Sequence, residues 1–136
     1  MAAIVLKDVT VSINSVQLES KVSSVTLNYE VEAVDLTSFD GTGARKSGAG
    51  LVNASAEIVM FQDFAAAATE ATVYPLVGTT TTIVIKPTSG AVSATNPSYT
   101  LAGTYIGSHT PVAGAVGEAS TTTISTVGGT LTKATS

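Results

Sequence analysis

The sequence predicts a mainly β fold, a β-sandwich or half-barrel with one flanking α-helix. Three observations predict it. Several segments alternate apolar and polar residues with period two. β-Branched residues crowd the second half of the chain. One alanine-rich stretch alone repeats its apolar residues at the three-and-four spacing of a helix. At 136 residues the chain makes one domain, 1–136, with one core.

The elements follow in order. Val5–Asn14 alternates loosely and reads as a first strand, with Val9, Val11 and Ile13 on one side. Asn14-Ser15 is a turn and Val16–Leu18 a short return. Val22–Val34 is a long strand. Val25, Leu27, Tyr29 and Val31 form its apolar face, and Thr26, Asn28, Glu30 and Glu32 its wet face. A loop over about 35–50 follows, with four glycines and Phe39 in a polar setting. Loops of this length without structure of their own usually bind something or are disordered. Leu51–Phe61 is strand again, with Ala54, Ala56, Ile58 and Met60 on one face and Ser55 and Glu57 on the other.

Asp63 then reads as the N-cap of a helix of about three turns, with Phe64, Ala67, Ala68, Ala71 and Tyr74 as its apolar stripe. Pro75 and Gly78 stop it. Thr79–Lys86 is a β-branched strand closed by Pro87, and Pro87–Ser98 is a second polar loop. Tyr99–Ser108 and Ala119–Val127 complete six or seven strands. The terminal GGTLTKATS frays or lends an edge strand to a neighbour.

Composition excludes several kinds of chemistry. Hydrophobic content of 44% against 12% charged residues is not that of a disordered chain. There is no cysteine, so disulfides, thiolate catalysis and sulfur-bound metals are excluded. The net charge of −4, with only 6 Lys and Arg, opposes a phosphate-gripping nucleic-acid surface. No run approaches the ~18–20 apolar residues that cross a bilayer, so no membrane insertion is expected. MAAIVLKDV places Lys7 after its apolar residues, the reverse of a signal peptide, so none is expected.

GTGARKSG resembles a phosphate loop only superficially. Arg45 stands where a glycine should precede Lys46, and a strand rather than a helix follows. His109 is the only histidine, beside Pro111 in a turn, and reads as a solvated loop residue. It offers neither a His cluster for a metal nor a hydrolase motif. Asp35 and Asp40 lack the dense oxygen ligands of a calcium loop. Glu30 and Glu32 read as a wet sheet face rather than an acid–base pair. No enzyme, catalytic residue, metal or cofactor is expected. Phe39, with Leu36 nearby, is either an exposed binding anchor or a residue folded back on its own domain.

The order of these segments resembles the major tail proteins, or tail tube proteins, of long-tailed bacteriophages. The likeness rests on VTVSINSVQLESKVSSVTLNYEVEAVD, on the loop DLTSFDGTGARKSGAG, on the strand-to-helix passage around FQDFAA, and on the ending with its NPSY and PVAGAVGE turns. The final strand departs from the pattern in being Thr-rich and lacking an aromatic residue. The resemblance implies a β-sandwich with a flanking helix, assembled in hexameric rings that stack into a tube. Sheets from six subunits would join into one continuous β-barrel around a bore for DNA ejection. Partners implied are the chain itself, a tape measure protein inside, and distal tail and tail terminator proteins at the ends. DNA would be met only in transit. The location implied is the virion tail, after synthesis in the host cytoplasm.

The loop is then an assembly arm reaching a neighbouring subunit or ring, with Leu36, Phe39, Asp40, Arg45 and Lys46 as its contact residues. Ser24, Thr26, Asn28, Glu30, Ser55 and Glu57 are the candidates for the bore, where a wet, acidic wall would not hold DNA. Alternative readings are a head-decoration or tail-terminator protein of related fold, or an Ig-like binding module. The low aromatic content of 5% opposes sugar stacking in such a module.

Overall fold

The computed structural model describes residues 4–66 and 68–136. Met1–Ala3, in the segment read for a signal peptide, and Ala67, of the expected helix stripe, lie outside them. The strands are β1 (Thr10–Ile13), β2 (Val16–Gln17), β3 (Val22–Asp35), β4 (Ser47–Phe61), β5 (Thr80–Lys86), β6 (Ser98–His109), β7 (Thr121–Val127) and β8 (Thr130–Ala134). One short helix, α1 (Thr69–Val73), runs into a single 3-10 turn, Tyr74–Leu76. The architecture is therefore mainly antiparallel β with one short helix, as the sequence predicts.

The eight strands form one hydrogen-bonded sheet in the order β2-β1-β5-β6-β7-β4-β3, with β8 beside β6. Alternation decides which face turns inward. Val11 and Ile13 of β1 share a core with Ala54, Ala56, Ile58 and Met60 of β4, Ile83 of β5, Leu101 and Ile106 of β6, and Ile124 of β7. Val25 and Leu27 of β3 pack against the same cluster. Strands from both ends of the sheet thus meet one core, so the sheet is curled.

Local chemistry sets the turns. Asn14 and Ser15 both have positive φ, 52° and 68°, which makes the two-residue hairpin between β1 and β2. β1 is shorter than the Val5–Asn14 expected. Its pairing with β5 stops at Thr10↔Lys86, because Pro87 cannot donate to a ladder. Asp8 is held instead by the Ser89 hydroxyl at 2.6 Å and backbone N–H at 3.3 Å. The Pro87–Pro97 loop is tied by Asn96, which accepts from Thr88 N–H at 3.1 Å and donates to the Gly90 and Ala91 carbonyls at 3.0 and 3.1 Å.

The helix differs from expectation. It has five residues, and Asp63 does not cap it. The Asp63 carboxylate accepts the Ala65 N–H at 2.9 Å and pairs with Lys21 at 2.8 Å, which closes a turn before any helix forms. Phe64, Ala71 and Tyr74 are exposed. The buried side is Thr69 and Val73, with the Thr69 hydroxyl donating to the Phe61 carbonyl at 3.1 Å. Anchoring to β4 overrides alanine propensity here.

The chain end also differs. β8 neither frays nor stands free. It pairs with β6 of its own chain from Ser98↔Ala134 to Ala102↔Thr130. β7 pairs with the other half of β6, from Tyr105↔Val127 to His109↔Ile124. β8 is therefore a continuation of β7 past a kink at Gly128 and Gly129, whose φ values are 76° and 95°. Among the described residues β8 has no second strand partner.

The Thr-rich β7 packs without an aromatic because its threonines divide between faces. Thr122 and Thr126 point inward with Ile124. A buried hydroxyl needs a partner. Thr126 Oγ1 accepts from Ala56 N–H at 3.2 Å and donates to the Ala56 carbonyl at 3.3 Å.

Candidate functional site

Among the described residues, one cluster with the look of chemistry surrounds His109. The sequence expectation of a solvated loop residue is wrong, because His109 is the last residue of β6 and its side chain is only 2% exposed. Its Nε2 lies 2.8 Å from Glu70 Oε2 and its Nδ1 lies 2.9 Å from Thr122 Oγ1. Gln62 Nε2 donates to the same Glu70 oxygen at 2.9 Å and to the Pro111 carbonyl at 2.6 Å. Thr122 is itself buried, so no substrate reaches its hydroxyl. The arrangement can tie α1 to the sheet but not deliver a nucleophile. No group of three metal-ligating side chains occurs among the described residues.

The second candidate is the segment after β3. The loop expected over about 35–50 is shorter, Leu36–Lys46, because Ser47–Gly50 is already strand. Glycine and alanine there hide the alternation, but the partner strand supplies the ladder. β3 and β4 pair continuously to Asp35↔Ser47, whereas β4 meets β7 only from Ser55 onward. Residues 30–35 and 47–53 therefore form a two-stranded hairpin that leaves the body of the sheet. A bulge bends it between Val31↔Val52 and Ala33↔Ala49. Leu36 lies against Gly48, and Val34 against Gly50, where a β-carbon would come within 2.5 and 2.7 Å of them.

The tip is cross-tied. Leu36 N–H donates to the Lys46 carbonyl at 2.8 Å, and Lys46 N–H to the Thr37 hydroxyl at 2.9 Å. The Lys46 ammonium pairs with the Asp40 carboxylate, which also accepts the Thr42 N–H at 3.0 Å and hydroxyl at 2.8 Å. The ammonium first, and then Thr42, hold the Asp40 carboxyl down at about 2. Arg45 is exposed and makes no ion pair among the described residues. Phe39 does not fold back onto its domain. It is wholly exposed, as are large parts of Leu36, Val31, Leu51 and Val52.

The third candidate is the outer face of the sheet. Ser24, Thr26, Asn28, Glu30 and Glu57 are exposed and Ser55 is half-buried. Register puts all but Glu30 side by side on the body of the sheet, with Thr26↔Glu57, Asn28↔Ser55 and Ser24↔Val59, while Glu30, opposite Asn53, stands at the root of the arm. It also extends the face to residues that sequence reasoning missed. Glu57 pairs with Ser125 and Val59 with Thr123, and Ser125 pairs with Ser108. The strand over Ala119–Val127 was readable, but its partner strands were not. The named residues of this face include two carboxylates and no cation.

No family model matches the sequence, and no curated protein matches it. Solved structures do match. A chain of the native gene transfer agent virion is 19% identical with a TM-score of 0.74, covering 96% of this chain and 98% of that one. A chain in the tail of the empty gene transfer agent particle, refined helically with C6 symmetry, is 20% identical with a TM-score of 0.58, covering 82% and 81%. A chain of the sheath–tube complex of an extracellular contractile injection system, PVC, in its extended state is 11% identical at 0.73, covering 98% and 93%. The SPP1 tail tube is 16% identical at 0.63, covering 95% and 77%. At such identities the likeness is one of fold. The chain has the fold found in tail tube assemblies.

Proposed function

We propose that this chain is a structural subunit of a phage-type tail tube, which assembles into hexameric rings stacked as a conduit for DNA. The observation that carries the reading is the hairpin arm. An isolated two-stranded hairpin is marginal in water, yet this one extends beyond the sheet with Val31, Leu36, Phe39, Leu51 and Val52 exposed. Such an arm on a fold found in tubes is an element built to meet another copy. The six-fold count is supported by the C6 symmetry of the gene transfer agent tail. Unpaired edges at β8 and at the arm portion of β4 suit a sheet that continues into neighbours and closes as a barrel.

The hydroxyl and carboxylate face is the proposed bore wall, carried by Ser24, Thr26, Asn28, Glu30, Ser55 and Glu57 and extended by Ser108, Thr123 and Ser125. DNA presents one charge per ~1.7 Å and would stall on a cationic wall. Leu36, Phe39, Asp40, Arg45 and Lys46 are the proposed arm contacts. A tape measure protein inside, and distal and terminator proteins at the ends, rest on the family resemblance. So do a place in the virion tail and synthesis in the host cytoplasm.

Negative-stain microscopy of the purified chain, fresh and concentrated, tests the reading. Rings or tubes with a central hole are expected. A chain that stays monomeric under all conditions overturns it. Deleting Thr37–Lys46, between the paired ends of the arm, should leave the circular dichroism spectrum intact and abolish rings.

A further inference from the structure

Resting on the tube reading, we propose that the apolar groove between β3 on one side and β5, β6 and β8 on the other is the receptor for the arm tip of a second copy of this chain, with Phe39 and Leu36 as the inserted side chains. The groove has a volume of about 390 Å³ and is lined by Leu6, Val25, Leu27, Tyr29, Tyr99 and Leu131, among others. It opens where the curled sheet brings the inward face of β3 opposite β6 and β8. Its wall is apolar and aromatic, the setting that holds a buried aromatic anchor at an interface.

The occupant follows from the chain's own geometry. Tyr29 forms part of the groove and is also the last β3 residue before the arm. From there the ladder Glu30↔Asn53 to Asp35↔Ser47 carries the tip outward. The eight residues of β4 beyond its pairing with β7 project roughly 25 Å at about 3.3 Å per residue. A paired, cross-tied hairpin rooted at one end of the groove cannot double back to fill it, and Phe39 touches nothing of its own chain's core. Tip and groove are therefore complementary surfaces at different places on one chain. Contacts of that kind are heterologous. They pass from copy to copy and close a ring or extend a stack.

The absence of cysteine makes the test clean. One population carries Phe39→Cys, a second Leu131→Cys, and a third Tyr29→Cys, the last at an exposed position that leaves the core untouched. Equimolar mixtures of the first with either of the others are assembled, oxidised and run on non-reducing gels, with the same samples viewed by negative stain. Hetero-crosslinked dimers approaching the ceiling that random mixing of the two populations sets support the proposal. Rings or tubes without that crosslink overturn it and leave the tube reading standing. Crosslinking of Leu131→Cys to a Val116→Cys population instead, from another exposed apolar loop, also overturns it. Crosslinked dimers that never form rings uphold the groove and overturn the tube. A strictly monomeric chain overturns both.

Discussion

A methyl group on Gly129 would sit 2.6 Å from the Ala102 carbonyl oxygen and 2.9 Å from Thr104 N, at a φ of 95°. Both neighbours are backbone of β6 and cannot swing aside. Gly129→Ala should therefore cost about 2 kcal/mol, read as a lower urea midpoint with an unchanged slope. At the arm tip the decisive residue is Asp40. Its carboxyl is held down at about 2 by Lys46 and Thr42, below the ordinary value of about 3.9. A depressed folded-state value means the tie is fully present above the ordinary range and is lost as pH falls through about 2. Carbon-detected NMR should place the Asp40 midpoint near 2, and Lys46→Ala should raise it. A midpoint unmoved by Lys46→Ala would show that Thr42 alone holds the carboxylate. None of this was legible beforehand. Asp40 and Lys46 could be named as arm residues, but only the fold of the tip brings them together.

At the scale of elements, what could be read depended on how each element was specified. β3 and the body of β4 announce themselves through alternation, and β5 and β7 through their β-branched residues, because both signals are local. The start of β4 did not, since Ser47–Gly50 is strand only through its pairing with β3. The helix was misplaced because alanine propensity is weak against two specific anchors, Thr69 and Val73. His109 was misread for a related reason, as its partners Glu70 and Thr122 are distant in sequence. These contacts give a test of how α1 is held. Glu70→Ala leaves a nearly enclosed imidazole nitrogen without its partner and should destabilise the fold by about 1–3 kcal/mol. Thermal unfolding checks this, and a melting point equal to that of the parent chain would mean that Thr69 and Val73 hold the helix without Glu70.

At the scale of the whole molecule, the fold class was legible in the alternation and β-branching of the strands. Alternation showed which side chains of β3 and β4 share the wet face, but the four-strand width of that face needed the register of β7 and β6. This width makes the bore proposal testable. Thr26→Lys, Ser108→Lys and Ser125→Lys together add three cations to one surface. Tubes of that variant should retain DNA at low salt and release it as salt rises, with log affinity falling linearly in log salt concentration. Gel mobility across a salt series measures this. Tubes of the triple variant that never retain DNA would place the face elsewhere.

Among the described residues the outer edge of β8 is unpaired, and such an edge carries a liability. An exposed edge strand templates indiscriminate pairing, and natural chains blunt it with lysine. Thr130–Ala134 has one charge, Lys133, in an otherwise neutral segment. That residue is placed as a gatekeeper against amyloid-like stacking. Lys133→Val should leave the folded monomer intact, yet shorten its shelf life by raising thioflavin-positive aggregation in concentrated stocks.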